Sequence, residues 1–342
     1  MTISSAKFQR INNVADQRGV IAAAAMDQRG SLKKAIAQAK GVDKNAITDA
    51  MMEEFKAAVS RILTPHASAI LLDPQWGIPA MKARRKGCGL LVAYEESGYD
   101  ITGPGRLPYL MKDWNVAKIK EIGADCIKIL MYYTPFEKAE VNRKKHDWVR
   151  MIGEECAAED MPFFLECVAY DENEKGEKSL DFAQRKPKAV EGYMREFSDP
   201  AYRVDVLKAE IPIDIGYMKG SKANKTGEVA YERSEAKDIF RRASAVAKIP
   251  FIYLSAGVDD DVFRESLELA GEAGVSFAGV LCGRATWKEG IPVYGKQGLK
   301  ALEDWLSDRG VKNIQALNAV LAHTAKPWWD KYGGKDKIKV ES

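Results

Sequence analysis

Eight short runs of apolar residues recur along the chain, and each is followed by a stretch with helical spacing. They are residues 20–27 (VIAAAAMD), 68–73 (SAILLD), 89–95 (GLLVAYE), 124–132 (ADCIKILMY), 162–168 (PFFLECV), 204–212 (VDVLKAEIP), 250–256 (PFIYLSA) and 277–283 (FAGVLCG). Runs that are continuously apolar, rather than alternating, mark strands covered on both faces, as in parallel sheets. Between them, residues 50–63 (AMMEEFKAAVSRIL) and 262–273 (VFRESLELAGEA) place apolar side chains three and four apart, the spacing of a helix with one buried stripe. Residues 116–122 behave in the same way. Strand then helix, eight times over, predicts an α/β fold of the (β/α)8 TIM-barrel type. An open doubly wound sheet would carry a Gly-rich phosphate loop after its first strand. Here the first run ends in Asp27-Gln28-Arg29-Gly30, with no GxGxxG. A single barrel domain over residues 1–342 is expected, with a C-terminal helical extension at about 286–332 and a fraying polar tail at 333–342.

Composition narrows the function classes. Lys plus Arg number 52 and Asp plus Glu 49, a net charge of +3, which lacks the basic excess of a nucleic-acid binder. With 46% hydrophobic residues, the chain has ample material for a core. The N-terminus has no apolar signal core, and no segment approaches the roughly 18 consecutive apolar residues of a membrane span. A cytoplasmic location without membrane or nucleic-acid partners is expected. So is a homodimer, the commonest assembly. The five cysteines form no CxxC pair and read as buried thiols of a reducing compartment.

In such a barrel, working residues point inward from the C-terminal ends of strands. The fourth, fifth and sixth runs carry Lys128, Glu166, and Lys208 with Glu210. A charge in an apolar run is costly to bury without a partner or a task, and these three runs are neighbours in a barrel. A lysine amine is a nucleophile only when unprotonated, and burial or a nearby cation favours that form. Lys128 is expected to be that cation for Lys208. The neutral amine would attack a ketone and form an imine, which draws electrons from an adjacent C–C bond, while Glu166 moves the protons. This is the logic of a class I aldolase. After the seventh and eighth strands, Ser255, Gly257, Gly283 and Arg284 suit a phosphate. Asp27 and Gln28 are placed to hold sugar hydroxyls. Asp73 and Glu95 are equally suited to a salt bridge across the barrel mouth. Metal-assisted chemistry of this kind needs a cluster of histidines. His66, His146 and His323 end no strand-like run, so no metal or other cofactor is expected.

Several stretches resemble the class I tagatose-1,6-bisphosphate aldolase family of bacteria over nearly the full chain. They are 25–30 (AMDQRG), 68–74 (SAILLDP), 93–100 (AYEESGYD), 162–166 (PFFLE), 204–208 (VDVLK), 253–258 (YLSAGV) and 279–287 (GVLCGRATW). The resemblance implies a metal-independent barrel that cleaves tagatose 1,6-bisphosphate to dihydroxyacetone phosphate and glyceraldehyde 3-phosphate. It implies Lys208 as the Schiff-base lysine, Glu166 as the catalytic acid/base and Lys128 as a second active-site lysine. It also implies Asp27 and Gln28 at the first strand, and Ser255–Gly257 and Gly283–Arg284 around the C1 phosphate. The C-terminal tail looks extended for the family. The loop after the sixth strand, with Lys219, Lys222 and Lys225, looks longer and more basic. That loop would suit a phosphate or a sulfonate at carbon six, as in 6-deoxy-6-sulfofructose 1-phosphate, or it is a solvated charged loop. The alternative to an enzyme is a sugar-phosphate-sensing barrel that signals through a partner.

Overall fold

A computed structural model describes residues 1–96, 105–172 and 176–341. Its centre is a closed barrel of eight parallel strands, each hydrogen-bonded to the next and the last to the first. The strands are β1 (Ile21–Ala25), β2 (Ala69–Leu72), β3 (Gly89–Ala93), β4 (Cys126–Tyr132), β5 (Phe163–Val168), β6 (Val206–Glu210), β7 (Phe251–Leu254) and β8 (Gly279–Cys282). One strand lies inside each of the eight apolar runs. The helices Asp49–Leu63, Val116–Glu121 and Asp260–Glu272 fall on the three segments read as helical.

Side chains alternate between the two faces of a strand, and here the alternation builds two cores. Residues such as Ile70, Leu90, Ile127, Leu165 and Tyr253 pack outward against the helices. Leu71, Leu91, Cys126, Phe164, Val206 and Ile252 fill the barrel interior. Full burial of an aliphatic or aromatic side chain is worth about 1.5–3 kcal/mol, so this interior layer fixes the barrel diameter. Two residues beyond Cys126, Phe164 and Val206 stand Lys128, Glu166 and Lys208. The same alternation that buries the apolar layer therefore turns all three inward. Register then sets Glu166 directly beside Lys208, and Leu130 beside Glu166.

The chain ends meet. The strand Thr2–Ser4 pairs in parallel with Lys339–Glu341, and the Lys339 amide donates to the Met1 carbonyl at 2.8 Å. Trp328 is buried beneath the barrel interior with Ile3, Ile11 and Val14, edge-on to Phe8 at 5.7 Å. The tail read as fraying is thus tied down through residue 341. Burial of Trp328 holds the chain close enough for a strand pairing that a polar sequence does not advertise. Among the described residues no helix is long and apolar enough to cross a membrane. All five cysteines are buried and unpaired, and burial pushes the Cys88 thiol up to about 11.

Gly279 opens β8 at φ +126°, and a Cβ there would lie 2.1 Å from the Ile21 carbonyl oxygen. Gly279→Ala should therefore cost roughly 2–4 kcal/mol, from backbone strain plus displacement of β1. Equilibrium urea unfolding checks this, and a loss below about 0.5 kcal/mol would contradict the close approach.

Candidate active site

Lys128 is fully buried at the centre of a charge cluster. Its Nζ lies 2.8 Å from Asp27 Oδ2, 3.0 Å from Glu95 Oε1 and 2.8 Å from Glu166 Oε2. Lys208 Nζ donates to that same Glu166 oxygen at 2.8 Å. Arg29 donates to the Glu95 carbonyl at 2.7 Å and stands 3.7 Å from its carboxylate. The Leu130 amide donates to the other Glu95 oxygen at 3.1 Å. Three acids thus face three bases, which makes their burial tolerable, because an unmatched charge there would cost several kcal/mol. Burial alone would lower Lys128, yet Asp27, Glu166 and Glu95 hold it well above the ordinary lysine range. Burial raises Asp27 as well, but Lys128, Lys208 and Lys56 outweigh it and keep that carboxyl well below its usual value. At Glu95 burial wins over Lys128 and Arg29, and its pKa rises.

The expected role of Lys128 changes with this geometry. It is not a lone cation beside Lys208. Three carboxylates neutralise it, and it pins the one that Lys208 also touches. Asp27, just after β1, is paired with Lys128 at 2.8 Å, which leaves its other carboxylate oxygen outside that contact. Of the two weaker candidates, Glu95 joins the cluster. Asp73 instead meets Lys56, whose Nζ is 2.5 Å from Asp73 Oδ2 and donates to the Met26 and Gln28 carbonyls at 2.7 and 2.8 Å. Lys56 fixes the turn that presents Gln28. Sequence reading missed it, although it falls on the buried stripe of its helix with Met52, Phe55, Val59 and Leu63.

A cavity of about 630 Å³ opens at the C-terminal ends of the strands. Lys208, Glu166, Gln28, Ser255, Gly257, Gly283 and Arg284 all line it. Gln28 Oε1 is buried there without a hydrogen-bond partner. The loop after β7 turns through two left-handed residues, Ala256 at φ +48° and Gly257 at φ +78°. Lys288 braces it, 3.0 Å from the Gly257 carbonyl and 2.5 Å from Asp259. A Cβ on Gly257 would stand 2.7 Å from Arg284 Cζ, so only glycine lets the guanidinium lie against this loop. Backbone amides and a guanidinium are thereby gathered where an anion would sit.

The basic loop after β6 does not reach this cavity. Lys219, Lys222 and Lys225 are absent from its walls, and exposed Lys219 pairs with Glu232 at 2.8 Å. The far wall is instead Arg106, Tyr132, Lys178 and Lys186, residues that no motif singled out. Residues 97–100 of the AYEESGYD stretch lie outside the described residues. His146 packs between Tyr133 and Phe197, and His323 pairs with Glu268 at the surface; neither lines the cavity.

A family model for DeoC/LacD family aldolase matches residues 21–289. The chain belongs to the DeoC/LacD aldolase family. It is 48% identical to a tagatose 1,6-diphosphate aldolase of Listeria monocytogenes over 338 residues, 99% of this chain and 98% of that one. A tagatose 1,6-diphosphate aldolase of Staphylococcus aureus is 44% identical over 96% of this chain and 99% of its own length. The alignment of 338 residues includes most of the C-terminal tail, so the tail is not an extension relative to the Listeria protein. Among solved structures, a Schiff-base-forming fructose-1,6-bisphosphate aldolase superposes with a TM-score of 0.55 at 15% identity, covering 92% of this chain and 99% of that one. This likeness places the DeoC/LacD chain in the same barrel fold.

Behind the far wall sits a lysine outside the cluster. Lys145 is fully buried with its Nζ 3.3 Å from the Tyr170 hydroxyl and 4.7 Å above the Tyr170 ring. Burial brings its pKa down to about 8, against Glu137 and Cys167 and with Arg106 adding to the fall. The unfolded chain keeps this proton up to about 10.5, so the folded state binds fewer protons across pH 8–10.5 and its stability rises with pH there. Below pH 8 the buried charge is a net cost. Lys145→Met should therefore stabilise the protein at pH 7 by about 2 kcal/mol, with the gain falling steadily above pH 8 to a small fraction of that by pH 10. Urea unfolding at both pH values tests this, and a gain that stays constant or grows with pH would refute it.

Proposed function

We propose that this chain is a class I aldolase. It cleaves a ketose 1,6-bisphosphate, D-tagatose 1,6-bisphosphate, to dihydroxyacetone phosphate and D-glyceraldehyde 3-phosphate through an imine on Lys208. The convergence of Lys128 and Lys208 on one oxygen of Glu166, within a cavity that also reaches the anion-binding loops, carries this reading. The names of the relatives at 44–48% identity support the substrate.

The geometry suits the steps in turn. With the C1 phosphate held by the Ser255–Gly257 loop and Arg284, the ketone at carbon two reaches Lys208 on the adjacent strand. Lys208 gives a proton to Glu166, and its amine adds to the carbonyl. Glu166 returns the proton to the carbinolamine hydroxyl, water leaves, and a protonated imine remains. Glu166, a carboxylate again, accepts the proton of the carbon-four hydroxyl as the C3–C4 electron pair moves into the imine and the aldehyde leaves. The proton passes from Glu166 to carbon three of the enamine, and water adds to the resulting imine to free dihydroxyacetone phosphate and the Lys208 amine. The iminium carries the same single positive charge as the ammonium it replaces, and the neutral amine, carbinolamine and enamine arise as the proton passes to and from Glu166, which Lys128 holds in place on its other side. Lys128, held charged by its three carboxylates, keeps Glu166 aimed at Lys208.

Borohydride added with dihydroxyacetone phosphate should leave a reduced adduct on Lys208, identified by peptide mass. Lys208→Met should lose both adduct and turnover. Glu166→Gln should lower kcat by roughly 10²–10⁴. An adduct on another lysine, or normal turnover by Lys208→Met, would overturn the mechanism. Values of kcat/KM for tagatose bisphosphate, fructose bisphosphate and 6-deoxy-6-sulfofructose 1-phosphate rank the substrates. A preference for the sulfonate would move the assignment to that sugar.

A further inference from the structure

The cavity wall opposite the anion loop holds a cation that is fixed before any ligand arrives. The strands run β4, β5, β6, β7, β8 around the barrel. Lys208 on β6 therefore stands between the loops after β7 and β8 on one side and the ends of β4 and β5 on the other. On that second side Arg106 lies against two tyrosines, its Cζ 5.0 Å from the Tyr132 ring centre and 4.8 Å from that of Tyr170, the two rings meeting edge to face at 6.3 Å. Tyr132 ends β4, and Tyr170 follows β5. The Tyr170 hydroxyl is itself fixed, donating to Glu137 at 2.7 Å. Arg106 Nη2 donates to Glu177 Oε1 at 2.8 Å. Its backbone stands at φ +46°, directly after Gly105 at φ +78°. An L residue avoids that region unless its surroundings impose it, and such outliers gather at ligand clamps.

Five N–H groups in a planar fork match the oxygens of a tetrahedral oxyanion. One of them serves Glu177, which leaves donors over. Contact with both rings and the ion pair to Glu177 restrain the guanidinium, so little rotamer freedom remains to be lost on binding. The other cations on this wall are less suited. Lys186 is tied to Glu210 at 3.3 Å, and Lys178 is a single point charge beside Glu177. The basic loop after β6 lies elsewhere.

We propose that Arg106 is the specificity-determining residue for the distal end of the substrate, gripping the oxyanion on carbon six with its free guanidinium donors while Lys178 adds charge beside it. This rests on the aldolase reading and extends it to the end of the sugar that takes no part in bond cleavage. It explains how a barrel with one imine lysine would select a sugar charged at both ends.

The test compares kcat/KM for a ketose 1,6-bisphosphate with that for the same ketose 1-phosphate, in wild type, Arg106→Met and Arg106→Lys. Arg106→Met should lower the bisphosphate-to-monophosphate ratio at least 30-fold, chiefly through KM for the bisphosphate. Arg106→Lys, which keeps the charge and loses the fork, should lower it by a smaller factor. The combined Lys219→Ala, Lys222→Ala and Lys225→Ala variant should leave the ratio unchanged. A ratio within threefold of wild type in Arg106→Met overturns the proposal. So does an equal loss on both substrates, which is the mark of a structural role, or a fall confined to the loop variant. Borohydride trapping of dihydroxyacetone phosphate by Arg106→Met checks that its site is folded. If it is not, the Arg106→Lys ratio decides. Failure of wild type to trap would sink the aldolase reading instead. In wild type, the bisphosphate against its 6-sulfonate analogue tells which oxyanion is preferred.

Discussion

Everything at the top of this barrel depends on one buried ammonium. Lys128 has no exposed surface, and removing it would leave Asp27, Glu95 and Glu166 facing one another in a medium that screens poorly. Like charges at such distances cannot all remain ionised. The lysine therefore does more than balance a ledger of charge. It ties the ends of β1 and β3 to β5 through its three partners, and it determines which way the Glu166 carboxylate points. Arg29 and Lys56 extend the same logic outward, one holding the segment after β3 and the other the turn after β1.

That rigidity suits imine chemistry. Position 208 alternates between cationic and neutral forms during a turnover by exchanging a proton with Glu166 at 2.8 Å, so the fixed charges around Lys128 need no rearrangement between steps. Preorganised groups of this kind are where electrostatic catalysis gains most, because nothing must reorient as the transition state forms. The anion loop is preset too. Two left-handed residues and a lysine brace shape it, and glycine at 257 leaves room for Arg284. At the opposite wall, contact with two tyrosine rings adds to an ion pair with Glu177 in holding a guanidinium still.

Much of this was legible in the linear sequence, and the failures are informative. The eight strands stand out because strands covered on both faces must be apolar throughout. Lys128, Glu166 and Lys208 stand out as charges interrupting such runs. Lys56 was hidden because a single lysine on a helix reads as surface unless its place on the apolar stripe is weighed. The basic loop stayed open for the converse reason: Lys219, Lys222 and Lys225 suit a ligand site or a solvated face alike, and nothing local says which way a loop faces. The tail misled because a strand pairing between chain ends depends on Trp328, buried eleven residues before the strand begins.

The sequence alone determined the barrel, since eight continuously apolar runs separated by stretches with a period of about 3.6 leave few other packings, and the alternation of side chains along a strand aims three ionisable residues at one interior. Only the tertiary structure decided who neutralises whom. Lys128 and Asp27 are 101 positions apart, Lys208 and Glu166 42, and Arg106 and Glu177 71. Pairings over such separations follow from strand order and loop path. Coulomb energy and hydrogen-bond geometry act on distances in space, to which position along the chain is blind.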